Sequence, residues 1–146
     1  MEALPAYFDS SVLAKIYVRE IGSTTARRLV RSRQVITSSI AGLELMSAFR
    51  RNLTSGSIDE KSYSTIVERF QQHRNKWRCV ELMPAALEAA EEYVSRFDIR
   101  APDAIHVACA TISRGRFPRD LSFITADARQ RAVAAILGLD VIWVGN

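Results

Sequence analysis

The stretch Tyr7-Phe8-Asp9-Ser10-Ser11-Val12-Leu13-Ala14-Lys15-Ile16-Tyr17 decides how the rest of the chain is read. Residues 6–9 open it as a short apolar and aromatic run, the signature of a strand. An acid and two serines follow, the residue types that start helices. Val12 and Ile16 then fall four apart, on one helical face. A strand that passes straight into a helix is the beginning of a βα unit, and it leaves Asp9 at the strand's carboxyl end.

The pattern recurs along the chain. Strand-like runs rich in Val, Ile, Phe or Tyr occupy 6–9, 35–37, 79–82, 122–125 and 141–144. Helical periodicity fills 11–19, 24–32, 40–53, 59–76, 85–97, 102–114 and 128–137. Pro84 and Pro102 suit first helical turns, and Gly115 and Gly138 suit helix C-terminal caps. Alternating β and α elements imply an α/β fold with a central parallel sheet and helices on both faces. No repeat, linker or low-complexity tract interrupts it, so residues 1–146 read as one domain. In such sheets a ligand site lies outside the carboxyl ends of the strands, near a switch in strand order.

Bulk composition narrows the class. Of 146 residues, 48% are hydrophobic and 25% charged, the balance of a globular domain. The apolar runs are too short to span a bilayer, and the N-terminal residues carry no export signal, so a cytoplasmic protein is expected. Cys79 and Cys109 fall in no zinc-ligand spacing, and no disulfide is implied. The net charge is +4, and 17 of the 20 basic residues are arginine. Arginine grips phosphate through a planar fork, so this is compatible with a nucleic-acid substrate; solvated helix faces explain it equally well. Phosphate-loop and dinucleotide-binding glycine motifs are absent, which removes nucleotide hydrolysis and dinucleotide redox chemistry.

Four acids fall where a ligand site is expected. Asp9 closes the first strand and Asp127 follows Phe123-Ile124-Thr125-Ala126. Asp103 opens the helix Pro102-Asp103-Ala104-Ile105-His106-Val107-Ala108, and Glu44 lies at the edge of its own helix. Each has a plainer use. Asp9 or Ser10 would cap a helix, Asp127 with Gln130 forms a capping box, Asp103 complements a helix dipole, and Glu44 snorkels to solvent. The helix after Asp103 is apolar almost all round, however, as for a buried helix. A carboxylate at its mouth needs a partner, and further acids beside it would repel unless a cation joined them. Hard oxygen donors without a His/Cys cluster are what Mg²⁺ or Mn²⁺ selects. His106 is the tempting base, but a histidine hydrogen-bonded at the core edge accounts for it. No serine-nucleophile elbow surrounds Ser10 or Ser11.

Together these segments resemble the PIN domain, and within it the VapC-like toxins. The 7–17 segment looks like that family's first strand and helix. Ser38 to Glu44 with Met46-Ser47-Ala48-Phe49-Arg50-Arg51 is similar to its second block. Pro102 to Ala110 is similar to its third, and Phe123 to Asp127 with Ala134-Ala135-Ile136-Leu137-Gly138 to its last. The resemblance implies a metal-dependent endoribonuclease in which Asp9, Glu44, Asp103 and Asp127 hold Mg²⁺ or Mn²⁺. It also implies an RNA substrate, a VapB-like antitoxin protein and a homodimer. Asp9 and Asp103 are then the expected direct ligands, with Thr125 and Ser10 supporting them and Lys15, Arg51 or Arg100 on substrate phosphates. The block 54–100 carries no signature. A receiver-like Mg²⁺-binding module would need paired acids after the first strand, where Ser10 follows Asp9. A haloacid-dehalogenase-like phosphatase would need a second acid where Ser11 stands. A non-catalytic nucleic-acid-binding module shares every feature but cleavage.

Overall fold

The computed structural model describes residues 3–117 and 121–146. Met1 and Glu2, part of the segment read for an export signal, lie outside them. The described residues fold as five strands and seven helices: β1 (Leu4–Phe8), α1 (Ser10–Lys15), α2 (Ser23–Ser32), β2 (Arg33–Ser38), α3 (Ala41–Thr54), α4 (Glu60–Arg74), β3 (Arg78–Val80), α5 (Pro84–Arg96), α6 (Ala101–Arg116), β4 (Ser122–Thr125), α7 (Ala128–Ile136) and β5 (Asp140–Trp143). All pairings are parallel, in the order β3-β2-β1-β4-β5. The chain therefore winds outward from β1 through β2 to β3, then crosses back to lay β4 on the other side. The switch in order falls between β1 and β4, which opens a crevice at their carboxyl ends.

Side-chain alternation along β1 builds the two layers. Tyr7 enters one core with Ile36, Phe123 and the inner faces of α5, α6 and α7. Ala6 and Phe8 point the other way, into a core with Ile124, Val35 and residues of α1 to α4. The second core holds an aromatic cluster in which Tyr17, Phe49 and Phe70 meet edge to face. In α6, Ala104 and the run from His106 to Ala110 are buried, as the apolar sequence requires. No helix among the described residues is long and apolar enough to cross a membrane.

The caps explain most boundaries. Pro84 and Pro102 stand in the first turns of α5 and α6, and Gly138 takes a left-handed φ of 79° just past α7. Gly115 does not cap its helix. It lies within α6, which continues to Arg116 before Phe117 turns extended. The first helix is shorter than its apolar pattern suggests: after Lys15 the backbone tightens, with Ile16 and Tyr17 bonding to carbonyls three residues back. Gly22 starts α2 at a φ of 91°, and a Cβ there would stand 2.5 Å from the Val144 carbonyl oxygen. Gly22→Ala is therefore expected to cost about 1–3 kcal/mol through backbone strain, measurable by thermal melting. An unchanged melting temperature would contradict that fit.

Candidate active site

Asp9 leaves β1 at the crevice and is 1% exposed. Its backbone N–H continues the ladder by donating to the Ile124 carbonyl at 3.1 Å. Its carboxylate takes three donors. Oδ1 accepts from the Ser11 hydroxyl at 2.6 Å and from the Val12 N–H at 3.1 Å, capping α1. Oδ2 accepts from the Thr125 hydroxyl at 2.5 Å. Capping and site-building are thus one arrangement, since the cap uses one oxygen and turns the other toward β4.

Thr125 carries the network onward. Its hydroxyl lies 2.8 Å from Gln130 Oε1, and Gln130 donates through Nε2 to Asp103 Oδ1 at 3.1 Å. Asp127 caps α7 by accepting the Gln130 N–H at 2.8 Å, while its own N–H donates to Thr125 at 3.0 Å. Asp9, Asp103 and Asp127 therefore converge on one Thr125–Gln130 hub. Gln130 is 1% exposed, sharing the inward face of α7 with Val133 and Ala134. Its capping-box position had accounted for it fully in the sequence. A polar side chain on an otherwise apolar face was the signal that it serves something buried.

Glu44 joins from the other side through a second chain. His106, fully buried, meets Glu44 Oε1 through Nε2 at 2.5 Å and the Tyr7 hydroxyl through Nδ1 at 2.9 Å. The Ser10 hydroxyl donates to the same Glu44 oxygen at 3.0 Å. This is no serine-nucleophile triad. Ser10 and Glu44 share one ring nitrogen, whereas a triad needs the acid on the opposite nitrogen from the hydroxyl. The ring, with Nε2 on Glu44 and Nδ1 on the Tyr7 hydroxyl, holds Glu44 in place. Tyr7→Phe would orphan Nδ1 in the core, at a cost of about 1–2 kcal/mol. It is expected to weaken cleavage moderately, by less than loss of an acid. Wild-type kinetics and melting in Tyr7→Phe would remove this role.

Two of the four acids are held above the ordinary carboxylate range. Burial pushes the Asp9 carboxyl above its ordinary range, against the pull of His106 and its hydrogen-bond donors. Burial also raises Asp103, and the neighbouring Asp127 and Asp9 charges add to the rise, while Arg100 opposes it. Arg100 reaches Asp103 only at 3.7 Å and is largely exposed. Among the described residues no three His, Cys, Asp or Glu side chains stand close enough to cage a metal as they are. The donor chemistry nevertheless fits a hard divalent cation. A carboxylate offers about four acceptor sites; Asp9 fills three, Asp103 takes one hydrogen bond, and one Asp127 oxygen takes the Gln130 N–H. A cleft of about 380 Å³ lies alongside, lined by Ser10, Ser11, Glu44, Lys15 and Arg51. Lys15 is tied to Glu20 at 3.1 Å and to the Ile21 carbonyl, and Arg51 donates to Ser47. Cys79 and Cys109 are free thiols.

The sequence matches the PIN domain family over residues 6–136, and with that span the chain belongs to the PIN-domain family. Its acids stand at the switch point of the family's parallel sheet. Within it, the chain is similar to the VapC proteins: it is 33% identical over 138 residues to Ribonuclease VapC46 of Mycobacterium tuberculosis, covering 93% of this chain and 95% of that one. Among solved structures it resembles the toxin-antitoxin complex from Klebsiella pneumoniae (TM-score 0.67, 18% identity, 95% of this chain and 97% of that chain). It also resembles Mycobacterium tuberculosis VapC20, a Sarcin-Ricin loop cleaving toxin (TM-score 0.64, 18% identity, 88% and 94%). At those identities the two structures speak for the fold.

Proposed function

We propose that this protein is a Mg²⁺- or Mn²⁺-dependent endoribonuclease and the toxin of a toxin–antitoxin pair. One observation carries the reading: Asp9 and Asp103, 94 residues apart in sequence, are tied to one Thr125–Gln130 hub at the strand switch point. The whole-length similarity to a VapC ribonuclease supports it.

Asp9 and Asp103 would hold the ion directly, with Asp127 and Glu44 completing its surroundings. When bound, a divalent ion lowers the pKa of water and offsets charge developing on a phosphodiester. The chain's own residues do the rest. Thr125 fixes the Asp9 oxygen that faces the crevice, and Gln130 fixes Asp103. Glu44 is held through Oε1 by Ser10 and His106, which leaves Oε2 to take a proton from attacking water. Lys15 and Arg51 line the cleft in which backbone phosphates would lie. In-line attack by water would leave 5′-phosphate and 3′-hydroxyl ends. A 2′,3′-cyclic phosphate end on the products would contradict this chemistry.

An uninhibited ribonuclease would harm the cell that makes it, so the reading calls for a VapB-like antitoxin. Such a partner would place an Arg or Lys at the acid cluster, where the metal-free carboxyls favour a cation. A homodimer belongs to the same proposal. The exposed Leu87 and Val94 of α5 beside Ile105 of α6 give it an apolar face to use. The test is co-expression with the adjacent gene, followed by co-purification, sizing and an RNA cleavage assay. Expression that never slows growth, with a neighbour that neither binds nor inhibits, would end the toxin reading.

A further inference from the structure

A second cavity lies away from the acids. It is bounded by α2, α4 and the first residues of β2, and encloses about 350 Å³. The acids stand at the carboxyl ends of the strands; this cavity opens at an amino end, where Arg33 begins β2. Five cations line it, Arg27 and Arg31 from α2, Arg33, Arg69 from α4, and Lys76. No acid lines it, and among the described residues none of the five is engaged in an ion pair or a cation–π contact. Like charge gathered around one hollow makes a positive focus that draws an anionic ligand.

Two rings complete the lining. His73 meets the Tyr17 hydroxyl through Nδ1 at 2.8 Å. Burial, then the nearby Arg69 and Lys76, hold its pKa below the ordinary histidine value. With Nδ1 on the Tyr17 hydroxyl, the ring leaves Nε2 without a hydrogen-bond partner among the described residues and free for an incoming group. Trp77 is half-buried and braced by Phe70 with ring centroids 5.8 Å apart.

The geometry points to a second RNA-binding site: this cavity holds backbone phosphates of the substrate at nucleotides remote from the bond that is cut. The assignment rests on the ribonuclease reading and names where else the substrate is gripped. Four of the five cations are arginines, whose forks match phosphate oxygens, and Trp77 and His73 offer ring faces to an unstacked base. An acidic peptide is the weaker occupant. Beside the cavity Arg33–Val35 of β2 pair with β1 alone, since β3 begins its pairing at Ile36; what favours RNA over an acidic peptide is the pair of rings, which a base stacks on and a carboxylate does not use. An RNA reaching from this cavity to the acids would pass around one side of the sheet, which favours a folded RNA over a short strand.

The experiment measures binding of a fluorescent stem-loop RNA to metal-free protein by anisotropy across a salt series. Arg31, Arg69 and Lys76 are exposed, so Arg31→Glu/Arg69→Glu/Lys76→Glu is expected to melt like wild type. Its RNA affinity is expected to fall at least about tenfold at low salt, and the slope of log affinity on log salt to fall by about 2, for three phosphates no longer neutralised. Each single exchange is expected to weaken binding severalfold, which keeps the test valid should the triple variant misfold. Wild-type affinity and slope in all these variants would overturn the assignment. So would loss of antitoxin co-purification with RNA binding intact, since that assigns the cavity to a protein. Wild type that binds no RNA overturns it as well. If wild type binds RNA through this cavity but never cleaves it, the ribonuclease reading fails and the site stands. If wild type cleaves and the variants bind and cleave equally, only the cavity assignment fails.

Discussion

Asp103→Asn and Asp9→Asn are each expected to lower RNA cleavage by about a hundredfold to a thousandfold while the fold persists. A bound ion contributes several kcal/mol of charge stabilisation in the transition state, and each 1.36 kcal/mol is tenfold in rate. Exchanging one anionic oxygen for an amide weakens a hard-metal ligand without changing its shape. At position 9 asparagine fits the existing bonds. Its Oδ1 accepts from Ser11 and Val12 as before, and its amide donates to the Thr125 oxygen, whose hydrogen then serves Gln130. Asparagine is also as good a helix cap as aspartate.

Stability follows from the sign of the shift. The Asp9 carboxyl titrates higher in the folded, metal-free protein than in the unfolded chain. Its ionisation therefore opposes folding as pH rises through the ordinary carboxylate range toward the raised folded value, and that cost persists above it. An uncharged amide at this position escapes the cost, so metal-free Asp9→Asn is expected to melt no lower than wild type at neutral pH. Asp140→Asn is the control: Asp140 starts β5 at the opposite strand ends, bonded to Ser122. Wild-type cleavage in Asp9→Asn or Asp103→Asn would remove that residue from the site. A large drop in metal-free melting temperature would contradict the repulsion argument.

The second large effect belongs to Thr125→Val. The hydroxyl is fully buried and bridges the two halves of the acid network. Valine keeps the volume but leaves Asp9 Oδ2 without its donor and the Asp127 N–H without its acceptor, and breaks the contact with Gln130. The expected loss is about 1–3 kcal/mol of stability from orphaned buried groups. Cleavage is expected to fall about 10–100-fold, the usual cost of removing a group that orients a metal ligand. Thr125→Ser retains the hydroxyl and is expected to restore most of both. A valine variant that melts and cleaves like wild type would show that Asp9 and Asp103 do not depend on the hub.

Much of this architecture was legible because the decisive signals are local. The βα alternation, the prolines in first turns and the apolar face of α6 each act within a few residues, and every strand and helix read from periodicity is present. Boundaries drifted where tertiary contacts decide. α1 stops at Lys15 because the backbone tightens beneath Tyr17, and Gly115 is carried inside α6 by continued helical bonding. The four acids were legible as strand-end and helix-mouth positions. The hub joining three of them was legible only in part: Thr125 was expected to support the acids, but Gln130 had a sufficient local explanation in the capping box. The Tyr7–His106 support of Glu44 was not legible, since it spans 99 residues and depends on which face of β1 Tyr7 takes. The basic cavity escaped for the same reason, since its arginines are scattered over α2, β2 and α4 and meet only in the fold.

The most direct test of the central claim is a single cleavage assay on wild-type protein stripped with chelator, then supplied with Mg²⁺ or Mn²⁺, with Asp103→Asn run alongside. The stripped protein is expected to cleave no RNA, to recover fully on adding either ion, and the variant is expected to show no recovery. Full activity in the stripped protein, or equal recovery by Asp103→Asn, would contradict a metal held by these acids.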